Sequence, residues 1–135
     1  MAKFAANDYF VSINGTDFST SLNSVELAEE ADNLETTAFG STWRTRIGGL
    51  KQASLTLNFM QDFAAGSVDA VLNPLLGSIA TVIVKATSGT VSATNPTYTM
   101  TALVTQYSPF ASSVGDIATL SVTWPVSGSV VRATA

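Results

Sequence analysis

Three stretches of this chain alternate between apolar and small polar side chains, the period-2 signature of a β-strand that buries one face. In ASLTLNFM (53–60), Leu55, Leu57 and Phe59 project to one side and Ser54, Thr56 and Asn58 to the other. In IATLSVTW (117–124), Ala118, Leu120, Val122 and Trp124 alternate with Ile117, Thr119, Ser121 and Thr123. TYTMTALVTQYSPF (97–110) predicts a longer strand with Thr97, Thr99, Thr101 and Thr105 at alternating places, although Leu103 interrupts the polar side. YFVSING (9–15) is a short β-rich run closed by Asn14-Gly15, a pair that supplies positive φ at little cost. IATVIVKAT (79–87) is a β-branched strand that runs into the turn-rich SGTVSATNP.

The remaining segments are less regular. SLNSVELAEEADNLE (21–35) admits a strand through Leu22, Val25 and Leu27 or a helix over ELAEEA, and a strand running into a loop is expected. TTAFGSTWRTRIGGLKQ (36–52) mixes Gly40, Gly48 and Gly49 with aromatic and basic residues; it predicts an exposed loop, or an open hairpin, over about 32–52. A helix starts near Asp62, where Phe63, Val68, Val71, Leu72 and Leu75 share a face, Asp62 or Ser67 caps it, and Pro74 and Gly77 end it. The prediction is one mainly β domain over 1–135, an antiparallel sandwich or half-barrel with one helix.

Composition narrows the function. The chain has no cysteine, so disulfides, thiolate metal sites and thiol nucleophiles are excluded. Its net charge is −4, and Lys3, Arg44, Arg46, Lys51, Lys85 and Arg132 are mostly scattered, which argues against tight phosphate binding. Asn7 and Asp8 interrupt the N-terminal apolar run, so no signal peptide is expected, and no window approaches the roughly 20 apolar residues of a membrane helix. Only 12% of residues are charged, well below a typical soluble surface, so much of the surface is expected to be covered by another copy.

Catalysis finds no support. There is no histidine, and Ser67, in AAGSVDA, lacks both the G-x-S-x-G elbow of a hydrolase nucleophile and a histidine partner. Asp62 and Asp69 read as solvated carboxylates rather than a glycosidase pair, and GGLK lacks phosphate-loop spacing. No enzyme, cofactor or metal is expected. The polar strand faces are more informative. Any half-wet antiparallel sheet alternates in this way. A freely exposed sheet, however, normally carries Lys and Glu, which these faces nearly lack. A smooth, weakly charged face suits a surface that something slides past.

The order of the parts resembles the tail tube (major tail) proteins of long-tailed, non-contractile bacteriophages. The resemblance spans most of the chain: an early strand, ADNLETTAFGSTWRTRIGGLKQASLTLNF, the helix DFAAGSVDAVLNPLLG, and above all the closing VGDIATLSVTWPVSGSVVR. It implies that each subunit gives four strands to the inner wall of a six-membered ring, with the helix packed on the outside. The long loop would reach the next ring, and stacked rings would form the conduit for DNA ejection. The implied partners are other copies, the tape measure, tail-tip and terminator proteins, with DNA passing unbound. The implied location is the virion tail, after synthesis in the bacterial cytoplasm. Twenty-four strands at about 4.8 Å, tilted by roughly 40°, give a backbone diameter near 48 Å, wide enough for duplex DNA once side chains are subtracted.

On that reading the lumen-facing candidates are Ser54, Thr56 and Asn58, Thr119, Ser121 and Thr123, and on the third strand Thr99, Thr101 and Thr105. Glu26, Glu29, Glu30, Asp32 and Glu35 crowd one stretch. They either face the lumen and repel phosphate or meet Arg44, Arg46 and Lys51 of a neighbouring ring. Phe39 and Trp43 either fold back or anchor a partner, and the resemblance favours the partner. Two rivals stay open. One is a carbohydrate-binding or adhesin-type sandwich using Trp43, Tyr98, Tyr107 and Trp124 as stacking faces; the other is a tail terminator or capsid decoration protein.

Overall fold

The computed structural model describes residues 3–135. β1 (Phe10–Ile13) and β2 (Thr16–Asp17) form a tight hairpin in register Ile13↔Thr16. Its two turn residues, Asn14 and Gly15, both take positive φ, as a two-residue hairpin requires. A 3₁₀ turn (Ser19–Ser21) leads into β3 (Leu22–Glu35) and β4 (Arg46–Met60). Then follow α1 (Val68–Leu75), β5 (Ile79–Lys85), β6 (Thr97–Leu103), β7 (Thr119–Pro125) and β8 (Val131–Ala133).

All pairings are antiparallel and build two sheets, one in the order β2-β1-β5-β6-β8 and one in the order β3-β4-β7. The chain crosses from one sheet to the other after Pro125. Val126 donates its N–H to Ala53 O (3.0 Å) of β4 and forms a bridge with Ala102, and Ser127 donates its N–H to Thr101 O at 2.7 Å. β7 and β8 thus form a corner that ties the sheets at one edge.

The sheets share one core. Val11, Ile13, Val82, Met100 and Ala102 come from one side, and Leu55, Leu57, Phe59, Leu120, Val122 and Trp124 from the other. Phe18 meets Phe59 edge-on at 5.9 Å, and Trp124 satisfies its indole N–H on Gln106 O at 3.0 Å. Helix α1 adds Val68 and Leu72 to this core. It sits at the end of the sandwich where β4 and β6 leave and β5 and β7 enter, held there by Gly77 N–H to Val104 O at 2.7 Å.

Several expectations shift. The acidic half of 21–35 is strand, because β4 continues the ladder beside it through Glu29↔Ala53 and on to Glu35↔Arg46. Of the loop or open hairpin expected at about 32–52, the hairpin forms: its ladder runs to Glu35↔Arg46, Thr36 N–H still bonds to Thr45 O at 2.8 Å, and the tip covers 37–44. The strand expected over 97–110 ends at Leu103, where Val104 bonds to Ser78 instead of a neighbouring strand. Phe63 lies before the helix, and Ser67 occupies the N-cap position without a side-chain cap.

Trp124→Ala removes the largest buried side chain and should destabilise the fold by roughly 3–5 kcal/mol, read as a shifted denaturant midpoint. A loss below about 1 kcal/mol would contradict a core built around this residue.

Candidate assembly surfaces

The outward side of the three-stranded sheet is made of cross-strand rows. Ser24, Asn58 and Ser121 form one row; Glu26, Thr56 and Thr123 the next; Ala28, Ser54 and Pro125 a third; Glu30 and Gln52 continue it toward the hairpin. Thr56 and Thr123 hydroxyls meet at 3.2 Å, and Gln52 donates to Glu30. The alternation that buries Leu55, Leu57 and Phe59 fixes this outward set. The six candidates Ser54, Thr56, Asn58, Thr119, Ser121 and Thr123 thus lie on paired strands. Glu26 and Glu30 join them, and no basic residue does. The sequence raised both acids among the five crowded in 26–35 without singling them out, because the helix-strand ambiguity of 21–35 concealed which residues alternate outward.

The β6 threonines do not belong to this surface. β6 lies in the five-stranded sheet, where Thr99 pairs with Ile83 and Thr101 with Thr81. Since Met100 and Ala102 enter the core, Thr99 and Thr101 leave the sandwich on its opposite side, and Thr105 falls beyond the strand. The physical reason is the corner after Pro125: it pairs β6 with β8 rather than with β4 or β7.

Beyond the Ser54↔Pro125 row, β7 ends and β3 and β4 continue as a two-stranded arm. Glu35 and Arg44 form an ion pair at 2.6 Å, and the Thr36 and Thr45 hydroxyls bond at 2.7 Å. Among the described residues this is the one ion pair; Arg46 and Lys51 form none with Glu29, Glu30 or Asp32. Glu29 lies opposite Ala53, on the face away from Glu30. At the tip Phe39 is fully exposed and Trp43 is 84% exposed, so neither folds back onto the domain. Leu34, Ile47 and Leu50 are exposed along the arm as well.

The opposite end of β4 carries a second polar network. Gln61 N–H bonds to Ala118 O at 2.8 Å, tying 61–63 to the loop before β7. Asp62 accepts from Ala64 N–H and from the Ser67 hydroxyl, each at 2.9 Å; these bonds hold its carboxyl below the usual range. Asp69 accepts from the Tyr107 hydroxyl at 2.6 Å. Both aspartates serve the turn and helix rather than facing one cleft as a pair. Phe63 and Phe110 stack at 5.5 Å while remaining 55% and 84% exposed. Of the aromatics that a binding sandwich would present, Trp124 is buried and Tyr98 and Tyr107 are half-buried against the core.

No protein-family model matches the chain, and no curated protein matches it in sequence. Its fold is shared with solved structures. A chain from the virion of a native gene transfer agent particle superposes with a TM-score of 0.77 at 14% identity, covering 96% of this chain and 98% of that one. A chain from the tail of an empty gene transfer agent particle, refined with C6 symmetry, gives 0.75 at 15% identity over 96% and 98%. A chain from the sixfold-symmetrised baseplate of the anti-feeding prophage gives 0.51 at 12% identity over 98% and 97%. At these identities the likeness establishes the fold: mainly β, antiparallel, with one helix and no closed barrel.

Burial and the hydrogen bond to Asp69 push the Tyr107 hydroxyl above its ordinary value of 10.0. The neutral phenol is favoured in the folded state, so its contribution is complete below pH 10 and lost as pH rises through the raised value. Tyr107→Phe should cost about 1 kcal/mol at neutral pH and flatten this alkaline loss, measured by denaturant titration across the alkaline range. An unchanged alkaline profile in the variant would assign the loss to other groups.

Proposed function

We propose that six copies of this chain close into a ring, and that rings stack into a virion tail tube through which DNA leaves the capsid. The observation that carries this reading is the outward face of β3, β4 and β7, which combines small hydroxyl and amide side chains with Glu26 and Glu30 and no cation. Such a face repels phosphate and offers nothing for bases to grip. The fold shared with chains of sixfold tail and baseplate assemblies supports the same reading.

In this arrangement Ser54, Thr56, Asn58, Thr119, Ser121 and Thr123 line the lumen with the two glutamates. The arm bearing Phe39, Trp43, Arg44 and Arg46 makes contacts between copies, as do Glu29, Asp32, Glu35 and Lys51 on its flanks. Tape measure, tail-tip and terminator proteins are the expected neighbours in the virion. The smooth sheet has three strands rather than four. Eighteen strands in a ring give a backbone diameter of about 36 Å, against about 48 Å for twenty-four. Lumen width therefore tells whether β3, β4 and β7 form the wall alone. The binding-module reading requires aromatics on one open face, whereas Trp124 is in the core and Trp43 sits on the projecting tip.

The deciding experiment is negative-stain electron microscopy of the concentrated protein, with its mass in solution measured alongside. Hollow tubes or sixfold rings are expected; a monomer at every concentration, even with tail-tip components added, overturns the reading. Trp43→Ala should abolish polymerisation while changing monomer stability by less than about 0.5 kcal/mol, since the side chain touches solvent; unfolding of the monomer would exclude an interface role. Glu26→Lys with Glu30→Lys should turn an inert tube into one that retains DNA in low salt and releases it as salt rises, read by co-sedimentation.

A further inference from the structure

The hairpin end (36–46) and the helix end carry exposed apolar patches of unlike charge. β4 spans 15 residues from Arg46 to Met60, so the hairpin tip and the helix end lie at least about 45 Å apart along one strand. Phe39 and Trp43 stand exposed at one end, and the stacked Phe63 and Phe110 at the other, with exposed Ile117 in the loop that Gln61 holds. No acid occurs between Thr36 and Gln61, and the tip carries Arg44 and Arg46 against Glu35 alone. At the helix end Asp62, Asp69 and Asp116 form no ion pair among the described residues, and no Lys or Arg occurs in the sequence between Lys51 and Lys85 or between Lys85 and Arg132.

We propose that the hairpin tip of one copy docks on the helix end of a second copy, with Phe39 and Trp43 against Phe63 and Phe110, and Arg46, which forms no ion pair among the described residues of its own copy, facing Asp62 and Asp116. The inference rests on the stacked-ring reading and adds the surface that receives the arm. Two unlike patches at opposite ends make a heterologous contact, which propagates into an open stack instead of closing a dimer. Aromatic anchors supply the buried area, and the unlike charges select tip-to-end over tip-to-tip contact. The acid run of β3 is not the receiver: Glu29, Glu30, Asp32 and Glu35 lie on the arm itself, at the same end as the basic tip.

The chain contains no cysteine, so introduced pairs report cleanly. The full chain carrying Thr42→Cys and Ala111→Cys, beside Trp43 and Phe110, keeps all four aromatics. Within one copy the two sites are too far apart to join. Treatment of assembled tubes with a short bis-maleimide should give a ladder of covalent oligomers on a denaturing gel. Tubes that form without a ladder, while Thr42→Cys links to Asp32→Cys instead, overturn the docking site and leave the tube standing. Dimers from Thr42→Cys alone indicate tip-to-tip contact and overturn it too. A wild-type chain that never assembles, even with tail-tip components, overturns the stacked-ring reading, and the docking site falls with it.

Discussion

The structure depends on the register of β3, β4 and β7. Leu55, Leu57 and Phe59 enter the core beside Trp124, Val122 and Leu120, and a one-residue slip of either strand would turn all of them to solvent. Burial of these side chains therefore determines both faces at once. The side that excludes water fixes, residue by residue, which hydroxyls, amides and glutamates appear on the side that meets it. The smooth face is the complement of the core, and neither can be altered without the other.

The same register carries the ladder out of the domain. Once β7 ends at Pro125, β3 and β4 have only each other, and an isolated two-stranded ribbon is marginal in water. The Glu35–Arg44 ion pair and the paired Thr36 and Thr45 hydroxyls hold the tip. Leu34 closes over Gly49, where a Cβ would come within 3.2 Å of its side chain. The arm nonetheless leaves Phe39, Trp43 and Leu50 in solvent.

Strand edges matter as much as faces in an open sheet. On the free edge of β7, Ser112 Oγ bonds to both Thr119 N–H (2.9 Å) and Thr119 O (3.2 Å), and Gln106 donates to Thr123 O at 2.9 Å. Side chains from the 104–112 segment thus occupy part of the hydrogen-bonding row that would otherwise recruit strands indiscriminately. Among the described residues no side chain bonds to the outer edge of β3, whose one partner strand is β4. The two edges of the smooth sheet are therefore unlike.

Local sequence by itself determined the strands at 10–13, 53–60, 79–85 and 119–125, the Asn14-Gly15 hairpin, the core role of Trp124 and the hydroxyl-rich side of β4 and β7. Each follows from alternation or turn chemistry within a few residues. Tertiary structure alone decided which strands share a sheet: Thr99 and Thr101 have the same local pattern as Thr56 and Thr123, yet the corner after Pro125 sends β6 to the opposite sheet. It also decided that the acid-rich end of β3 is strand, because a run such as ELAEEADNLE has no strong β preference and pairs only where β4 lies beside it. That pairing places Glu26 and Glu30 on the smooth face and Glu29 on the other. Alternation tells a residue which way to point only after a neighbouring strand has told the segment to be a strand.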